Sequence, residues 1–347
     1  MASSEELHAA LRRLQSDTQD FWAPLHSIRR VDASSLSAVR FHREFVSRNV
    51  PVVLLNAMTS PQWRRAIATW QSDDHLVAKA GNHPVTVDVT PFGFGDAVLE
   101  LPGHHDEIFV MPEERDMPLQ EFLTILEDRE GFDGVPYLSH QVDLREQFPG
   151  LFDEVPPAMD LAVEAFGNEP EAVNIWIGDE RAVSTMHKDH YEREFPSARY
   201  RHSSSPNPES EAHLVKDVAA TERFHEKYPQ HAEWEILSAP DKGDTPWIPV
   251  DPLHIDTERY PLAATLNPIE VVVNAEEVLY LPSLWYHRAA HLCPTISVNY
   301  WHDMEFDCRY VYFNFVHDMG AVVTALEEDH RQKNSKDAKD MDEEKSS

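Results

Sequence analysis

Apolar and polar residues alternate with the period of β-strands through much of the chain beyond residue 172. Five segments there are short, rich in β-branched and aromatic residues and bounded by turn residues, which is typical of strands. They comprise residues 173–177, 183–187, 269–273, 278–281 and 296–301. We therefore predict a mainly β domain in which these strands form a barrel.

The N-terminal half mixes this pattern with helical spacing. Residues 3–21 carry leucines three or four positions apart, and residues 118–126 crowd their apolar side chains on one helix face. The apolar runs at 50–55 and 85–90 are short and rich in valine, which predicts strands. We expect helices that flank the sheet.

These patterns predict three consecutive parts of the chain. Residues 1–40 form an N-terminal helical segment, and residues 41–325 form one domain that starts with an α/β portion. Residues 326–347 are almost wholly charged or polar and cannot bury enough apolar surface to fold, so we expect a disordered acidic tail. Residues 193–245 are atypical, because a stretch rich in charge, serine and proline stands where the barrel needs further strands.

The charge balance narrows the class of partner. The chain has 61 Asp and Glu against 30 Lys and Arg, a formal net charge of −31. Such a field disfavours nucleic acid and anionic membranes and favours a positively charged protein partner. Cys293 and Cys308 are the only cysteines, too few for a disulfide framework or a thiolate zinc site. We therefore expect a reducing compartment, the cytoplasm and also the nucleus, and no membrane span.

A His-x-Asp pair followed by a distant histidine is the strongest chemical signal. His187 and Asp189 end one predicted strand, and His287 follows another far downstream. Alternate residues of a strand point to one side, and the gap accommodates several antiparallel strands that return the second histidine to the pair. Two imidazoles and one carboxylate on one face of an octahedral ion leave positions open for a co-substrate and dioxygen, as in non-haem Fe(II) oxygenases. A double-stranded β-helix has this arrangement.

Two other polar clusters compete as metal sites. Residues 104–106 read His-His-Asp within a Gly-Pro loop, where neighbouring side chains point apart, so a solvated turn is favoured. Residues 302–307 contain one histidine and three acidic residues after the last predicted strand, which fits the cap of a strand end. Neither cluster displaces the triad.

Several long motifs, in the same order along the chain, resemble the Jumonji-C, cupin-like 2-oxoglutarate oxygenases, and the lysyl hydroxylases among them in particular. The resemblance runs from about residue 41 to residue 315 and is interrupted after Glu192. The matching stretches are residues 85–90, 109–115, 173–178, 186–192, 247–253, 279–287 and 298–305.

This resemblance implies a jelly-roll, cupin-type domain with Fe(II)- and 2-oxoglutarate-dependent dioxygenase activity. The family's substrate is a lysyl side chain of a protein, hydroxylated at C3, and developmentally regulated GTP-binding proteins are the implied partners. By position the iron ligands are His187, Asp189 and His287.

Three further residues match the family's co-substrate pocket. Tyr137 and Ser184 can each donate a hydroxyl hydrogen bond to a carboxylate, and Asn299 can donate or accept through its amide. Ser184 stands where the family usually has threonine. The resemblance thus implies 2-oxoglutarate binding by Tyr137, Ser184 and Asn299.

The sequence departs from the family after Glu192. The family continues with an asparagine and a Gly-x-Lys strand whose lysine pairs with the distal carboxylate of 2-oxoglutarate, whereas Arg193 holds the asparagine position here and no lysine follows in the matching region. Arg199 or Arg201 could supply the positive charge with a different geometry. Because the spacing between the matched flanks is largely kept, we hypothesise an error in the gene model, which an intact transcript across residues 192–245 would refute.

Four functions therefore remain open. The first is an active lysyl hydroxylase, favoured by the complete triad and pocket residues. The second is a catalytically impaired pseudoenzyme that acts as a binding protein, favoured by the missing lysine. A histone-directed demethylase and a metal-dependent cupin that is not an oxygenase are the others, because the fold alone does not determine function. A homodimer is an open assembly state.

Overall fold

The computed structural model describes residues 4–18, 20, 26–102, 107–139, 143–189, 197–202, 215–238, 247–323 and 325–326. The chain divides into two compact units, residues 28–303 and a second unit of residues 1–27 together with 304–347. Within the described ranges no helix has both the length and the apolar character that a membrane span requires. Residues 327–347 of the predicted acidic tail and residues 104–106 lie outside the described residues.

Strands are concentrated in the larger unit. In chain order they are β1 Arg29–Asp32, β2 Val52–Leu55, β3 Pro84–Thr90, β4 Phe94–Gly95, β5 Ala97–Glu100, β6 Glu107–Met111, β7 Glu113–Pro118, β8 Val135–Tyr137, β9 Ala172–Gly178, β10 Val183–His187, β11 Ser197–His202, β12 Val215–Lys216, β13 Trp234–Ser238, β14 Val278–Tyr280, β15 His287–Ala290 and β16 Thr295–Trp301.

Helices alternate with these strands along the chain, as the helical spacing predicts. They are α1 Ser4–Asp17, α2 Ala38–Phe41, α3 Pro61–Thr69, α4 Asp73–Ala80, α5 Leu119–Glu127, α6 Leu144–Gln147, α7 Pro149–Phe152, α8 Asp160–Phe166, α9 Val218–Lys227 and α10 308–323. A π-helical turn, His42–Val46, continues α2. Helices α1 and α10 belong to the smaller unit and the others to the larger one.

The strands form small sheets, mostly antiparallel. Their orders are β1-β2-β14, β15-β10-β4, β12-β13-β11-β6-β5, β16-β9 and β7-β3-β8. The β9–β16 pair is fully in register, from Ala172 opposite Trp301 to Gly178 opposite Thr295. The β10–β15 pair brings two segments together that are distant in sequence, and it carries the candidate site.

Alternation along β9 places its residues in two different hydrophobic clusters. Val173, Ile175 and Ile177 are buried in the main hydrophobic core with the side chains of α3, α4 and α5. The alternate residue Trp176 packs instead beside Tyr137 in a smaller cluster. Since successive strand residues point to opposite faces, this strand supplies both surfaces.

The expected mainly β domain with flanking helices and an α/β start is confirmed. One predicted strand is wrong, because residues 266–274 have no strand conformation although residues 269–273 are strongly β-branched. A strand also needs a partner for its backbone groups, and among the described residues no strand pairs with this stretch. Strand β1 lies within the segment predicted to be helical.

The atypical stretch after residue 192 contributes to the core where it is described. Helix α9 buries Phe224, and β13 buries Trp234, Ile236 and Leu237. Strand β13 pairs with β11 over five residues, and β11 pairs in parallel with β6. These residues therefore join the five-stranded sheet.

Candidate metal centre

The ends of two paired strands bring the predicted triad together. His187 ends β10 and lies directly opposite His287, the first residue of β15. The Nε2 atom of His187 is 4.0 Å from Oδ1 of Asp189, and Nε2 of His287 is 4.0 Å from Oδ2 of the same carboxylate. One ligand atom from each residue lies within 4.8 Å of the others, and all three residues are half-buried. Over the described part of the chain no other group of three such residues is this close.

A β-bulge sets the direction of the His187 side chain. In the β10–β15 ladder Ser184 is opposite Ala289 and His187 is opposite His287, so the register shifts between Ser184 and His187. Such a bulge places an extra residue on one strand and redirects the side chains beside it. The shift allows His187 to face His287 directly.

Backbone hydrogen bonds prepare both imidazoles for a metal. Nδ1 of His187 is 2.7 Å from the carbonyl oxygen of Thr185, and Nδ1 of His287 is 3.0 Å from that of Trp285. A carbonyl only accepts, so each Nδ1 must carry the proton and each Nε2 of a neutral ring presents its lone pair. Both Nε2 atoms face Asp189. Two imidazole nitrogens and a carboxylate oxygen are a donor set that fits a divalent transition metal such as Fe(II).

Burial favours the neutral form of the first histidine. It lowers the pKa of His187, and the neighbouring His287 lowers that pKa further. The hydrogen bond to Thr185 and the charge of Asp189 act in the opposite direction and do not compensate. A neutral ring is the form that binds a metal.

Two of the three predicted pocket residues lie together. Tyr137 is buried, and the hydroxyl of Ser184 lies close enough to act on the pKa of Tyr137, which it lowers. Burial raises the pKa of Tyr137 to about 12, so its hydroxyl keeps its proton at neutral pH. Its ring lies edge-on to His291, with 5.3 Å between ring centroids. Hydroxyl groups at this position suit a carboxylate ligand.

Asn299 is on a different sheet. It lies in β16 opposite Asn174 of β9, and its Oδ1 is buried without a hydrogen-bond partner in the described structure. Oδ1 of Asn174 is also buried without a hydrogen-bond partner among the described residues. Buried polar atoms without hydrogen-bond partners are uncommon in folded proteins.

An acidic residue adjoins the pocket, which the sequence did not indicate. Asp88 accepts a short hydrogen bond from the Ser139 hydroxyl, and its charge contributes to the raised pKa of Tyr137 after the effect of burial. Asp88 would repel a carboxylate ligand.

Arg193 lies outside the described residues. The side chains of Arg199 and Arg201 do as well, although their backbones belong to β11.

The competing cluster after the last strand has structural contacts. Nδ1 of His302 is 3.2 Å from Oδ1 of Asn168, and its ring packs edge-on against Phe166. Asp307 accepts hydrogen bonds from the backbone and guanidinium of Arg309 at the start of α10. These contacts account for Asp307 and for Nδ1 of His302, whereas Nε2 of His302 is buried without a hydrogen-bond partner among the described residues.

Sequence reasoning missed the aromatic residue that supports the triad. The ring of Trp247 is stacked on that of His187, with 5.7 Å between centroids and 10° between planes. Trp247 opens the matched stretch 247–253, so its motif was visible. Its contact was not visible, because nothing in the local pattern connects that loop to β10.

Comparisons with known proteins agree with the geometry. Residues 38–308 match the family model of the cupin-like domain. The bifunctional peptidase and (3S)-lysyl hydroxylase JMJD7 of Homo sapiens is 32% identical over 91% of this chain and 96% of its own length. JmjC domain-containing protein E of Dictyostelium discoideum is 31% identical over 88% of this chain and 91% of that protein. Lysine-specific demethylase JMJ32 of Arabidopsis thaliana is 30% identical over 82% and 85%.

The matched range 38–308 contains the strands that carry the triad and the helices α2 to α9. Both the resemblance drawn from the sequence motifs and the expected cupin-type fold are confirmed, and the named enzymes among the relatives support the prediction of an enzyme. The chain belongs to the cupin-like JmjC family of 2-oxoglutarate oxygenases.

Proposed function

We propose that this protein is an Fe(II)- and 2-oxoglutarate-dependent dioxygenase that hydroxylates lysyl residues of protein substrates. The observation that carries the proposal is the triad of His187, Asp189 and His287, with both Nε2 atoms facing one carboxylate. The name of the human relative, a (3S)-lysyl hydroxylase, supports the reaction type. Family members use Fe(II) and 2-oxoglutarate.

The residues of the chain have distinct roles in this proposal. His187, Asp189 and His287 would hold Fe(II). Bound iron, dioxygen and 2-oxoglutarate would together supply the oxidising chemistry, while the protein supplies orientation and shielding. Tyr137, whose pKa of about 12 keeps it protonated, would donate a hydrogen bond to a carboxylate of the co-substrate, beside Ser184. Asn299 would supply a buried amide to the same pocket.

The charge of the chain supports a basic protein as the substrate. A net charge of −31 attracts positively charged segments, and a target lysine is itself a cation. We propose a basic GTP-binding protein of the developmentally regulated class as the partner, in keeping with the resemblance.

The test is calorimetric titration of 2-oxoglutarate into anaerobic protein loaded with Mn(II), a redox-inert substitute for Fe(II). We expect metal-dependent micromolar binding in the wild type and none in His187→Ala, because that variant loses one of three ligands. His254→Ala is the matched control, since His254 is 84% exposed and bonds only to Asp251 among the described residues. A lysine-containing peptide that gains one oxygen by mass spectrometry would then establish hydroxylation.

Metal binding without 2-oxoglutarate binding would contradict the proposal. It would favour the pseudoenzyme, for which Asp88 beside Tyr137 is the supporting observation. Demethylation is the second candidate reaction, because one relative of 30% identity is named a lysine-specific demethylase. The same assay with a methyl-lysine peptide separates the two reactions, since demethylation releases formaldehyde and leaves an unmodified lysine.

A further inference from the structure

Trp247 contacts a proposed metal ligand from a distant part of the chain. Its indole is nearly parallel to the imidazole of His187, with 10° between the planes and 5.7 Å between the centroids. The same indole packs against Phe109, with 5.1 Å between centroids, and Phe109 is fully buried in β6. The core of the five-stranded sheet thus supports the ring that lies on His187.

A second contact reaches the same histidine through Thr185. Nε1 of Trp247 donates a hydrogen bond of 2.7 Å to the hydroxyl of Thr185, which donates in turn to the carbonyl oxygen of Asp96. The carbonyl oxygen of Thr185 accepts the hydrogen bond from Nδ1 of His187. Trp247 therefore restrains both the plane of the imidazole and the residue that selects its tautomer.

The two histidines of the triad are supported differently. His287 also donates from Nδ1 to the residue two positions earlier, Trp285, whose indole donates to the carbonyl of Asn49 at 2.8 Å. That arrangement holds the carbonyl that His287 uses. Among the described aromatic contacts, a stacked indole is found on His187 and not on His287.

We propose that Trp247 is a positioning residue that holds the imidazole of His187 in its metal-binding orientation. The inference rests on the proposed function, because it assigns a role relative to the same metal site. Partners of metal ligands fix ring orientation and tautomer, and their loss typically weakens metal affinity by about 10- to 100-fold. The indole acts on His187 through ring contact and through Thr185.

The experiment measures Mn(II) affinity by calorimetry in apo protein carrying Trp247→Leu or Trp247→Phe. Leucine fills part of the space but offers neither a flat ring nor a donor, so we expect Mn(II) to bind about 10- to 100-fold more weakly. Phenylalanine keeps the flat ring, and we expect it to restore most of the lost affinity. Thr185→Val removes the hydroxyl but keeps the backbone carbonyl, so we expect a loss smaller than that of Trp247→Leu.

A spectroscopic readout tests whether the metal binds beside Trp247. Co(II) bound by the triad would quench the fluorescence of the nearby Trp247, so Trp247→Phe should reduce the quenched part of the signal. Trp70→Phe is the matched control, because the Trp70 indole also donates a hydrogen bond, to Glu154 at 3.0 Å, away from the triad. Its variant should keep both the Co(II)-quenched signal and the Mn(II) affinity.

The possible outcomes are distinguishable. If the wild type fails to bind Mn(II), the proposed function fails and this inference fails with it. Should the wild type bind Mn(II) and a folded Trp247→Leu protein bind it equally well, only the positioning role is overturned. An equal loss in the Leu and Phe variants would likewise overturn the role of the stacked ring.

Discussion

Glu154 is a nearly buried carboxylate that receives hydrogen bonds from three side chains. Its side chain is 4% exposed, and its partners are the indole of Trp70 at 3.0 Å, the imidazole of His75 at 2.8 Å and the ammonium of Lys79 at 2.9 Å. Burial alone raises the pKa of Glu154, but these hydrogen bonds outweigh it and lower the pKa to about 2. The charged carboxylate therefore stabilises the folded state.

We predict that Glu154→Gln destabilises the protein in a pH-dependent manner. The folded pKa of Glu154 lies below its ordinary value of 4.5, so its contribution is complete above about pH 4.5 and is lost as the pH falls toward 2. The shift corresponds to about 3 kcal/mol near neutral pH. Urea unfolding of the wild type and the variant, at neutral pH and near pH 3, measures the difference.

Glu121→Gln is the control for that comparison, because Glu121 is exposed on α5. It should change the free energy of unfolding little at either pH. A difference between wild type and Glu154→Gln that stays constant from neutral pH to pH 3 would contradict the role assigned to the charge.

The residue scale also shows what the sequence could indicate about the site. His187 and Asp189 were recognisable as a pair because alternate residues of a strand point to the same side. His287 was recognisable because it is a polar residue at the end of an apolar run. The stacked ring of Trp247 was not predictable. Its hydrogen-bond partner Thr185 is 62 residues away, and no periodic pattern relates a loop residue to a strand at that separation.

Helix α9 and strand β13 form a compact element within the stretch that departs from the family. Asp217 caps the helix by accepting a hydrogen bond from the backbone of Ala220, and Thr221 and Phe224 are buried. Trp234 is fully buried, and its indole donates to Asp133. The sequence did not predict this element, because its few apolar residues stand among many charged residues and serines. These apolar residues determine the local structure only when they pack against the five-stranded sheet.

We predict that Trp234→Ala lowers the free energy of unfolding by about 3–5 kcal/mol, the usual cost of removing a large buried aromatic side chain. Val218→Ala, at a position 56% exposed on the neighbouring helix, should have little effect. Denaturant unfolding of the two variants makes the comparison. Equal stability of Trp234→Ala and the wild type would contradict the packing of Trp234 in the core.

The strand predicted at residues 269–273 is wrong because no neighbouring strand pairs with this segment among the described residues. The run Ile-Glu-Val-Val-Val has high β-propensity, but propensity measures how well side chains fit a sheet that already exists. Segments 278–281 and 296–301 have similar composition and do form strands, because β2 and β9 lie beside them. The sequence shows the β-propensity of a segment but not whether another strand lies beside it.

At the scale of the whole molecule, charge is the dominant property. The imbalance of 61 acidic against 30 basic residues is distributed over both units and gives the chain a long-range field. Fields of this kind act on the rate and strength of encounter with charged partners rather than on the fold. The assembly state stays open, and the predicted compartments stay predictions.

We predict that binding of a lysine-rich substrate peptide weakens strongly as salt increases. Screening shortens the range of electrostatic attraction to about 10 Å at 0.1 M salt, and to about 3 Å at 1 M. Fluorescence anisotropy of a labelled basic peptide at low and high salt measures the effect. A peptide of the same length with its other basic residues replaced by glutamine is the control, and equal salt dependence of both peptides would exclude steering by charge.

The bulge in β10 allows one strand to carry both a predicted pocket residue and a metal ligand. Ser184 and His187 are an odd number of residues apart, so in a regular strand they would point to opposite faces. Their partners Ala289 and His287 are two residues apart and share a face of β15, and the extra residue of the bulge brings Ser184 and His187 to that face as well. The bulge thus places both side chains on one face of the sheet. Deleting Met186 from it would turn the Ser184 hydroxyl away from His187 while every other residue of the site is kept.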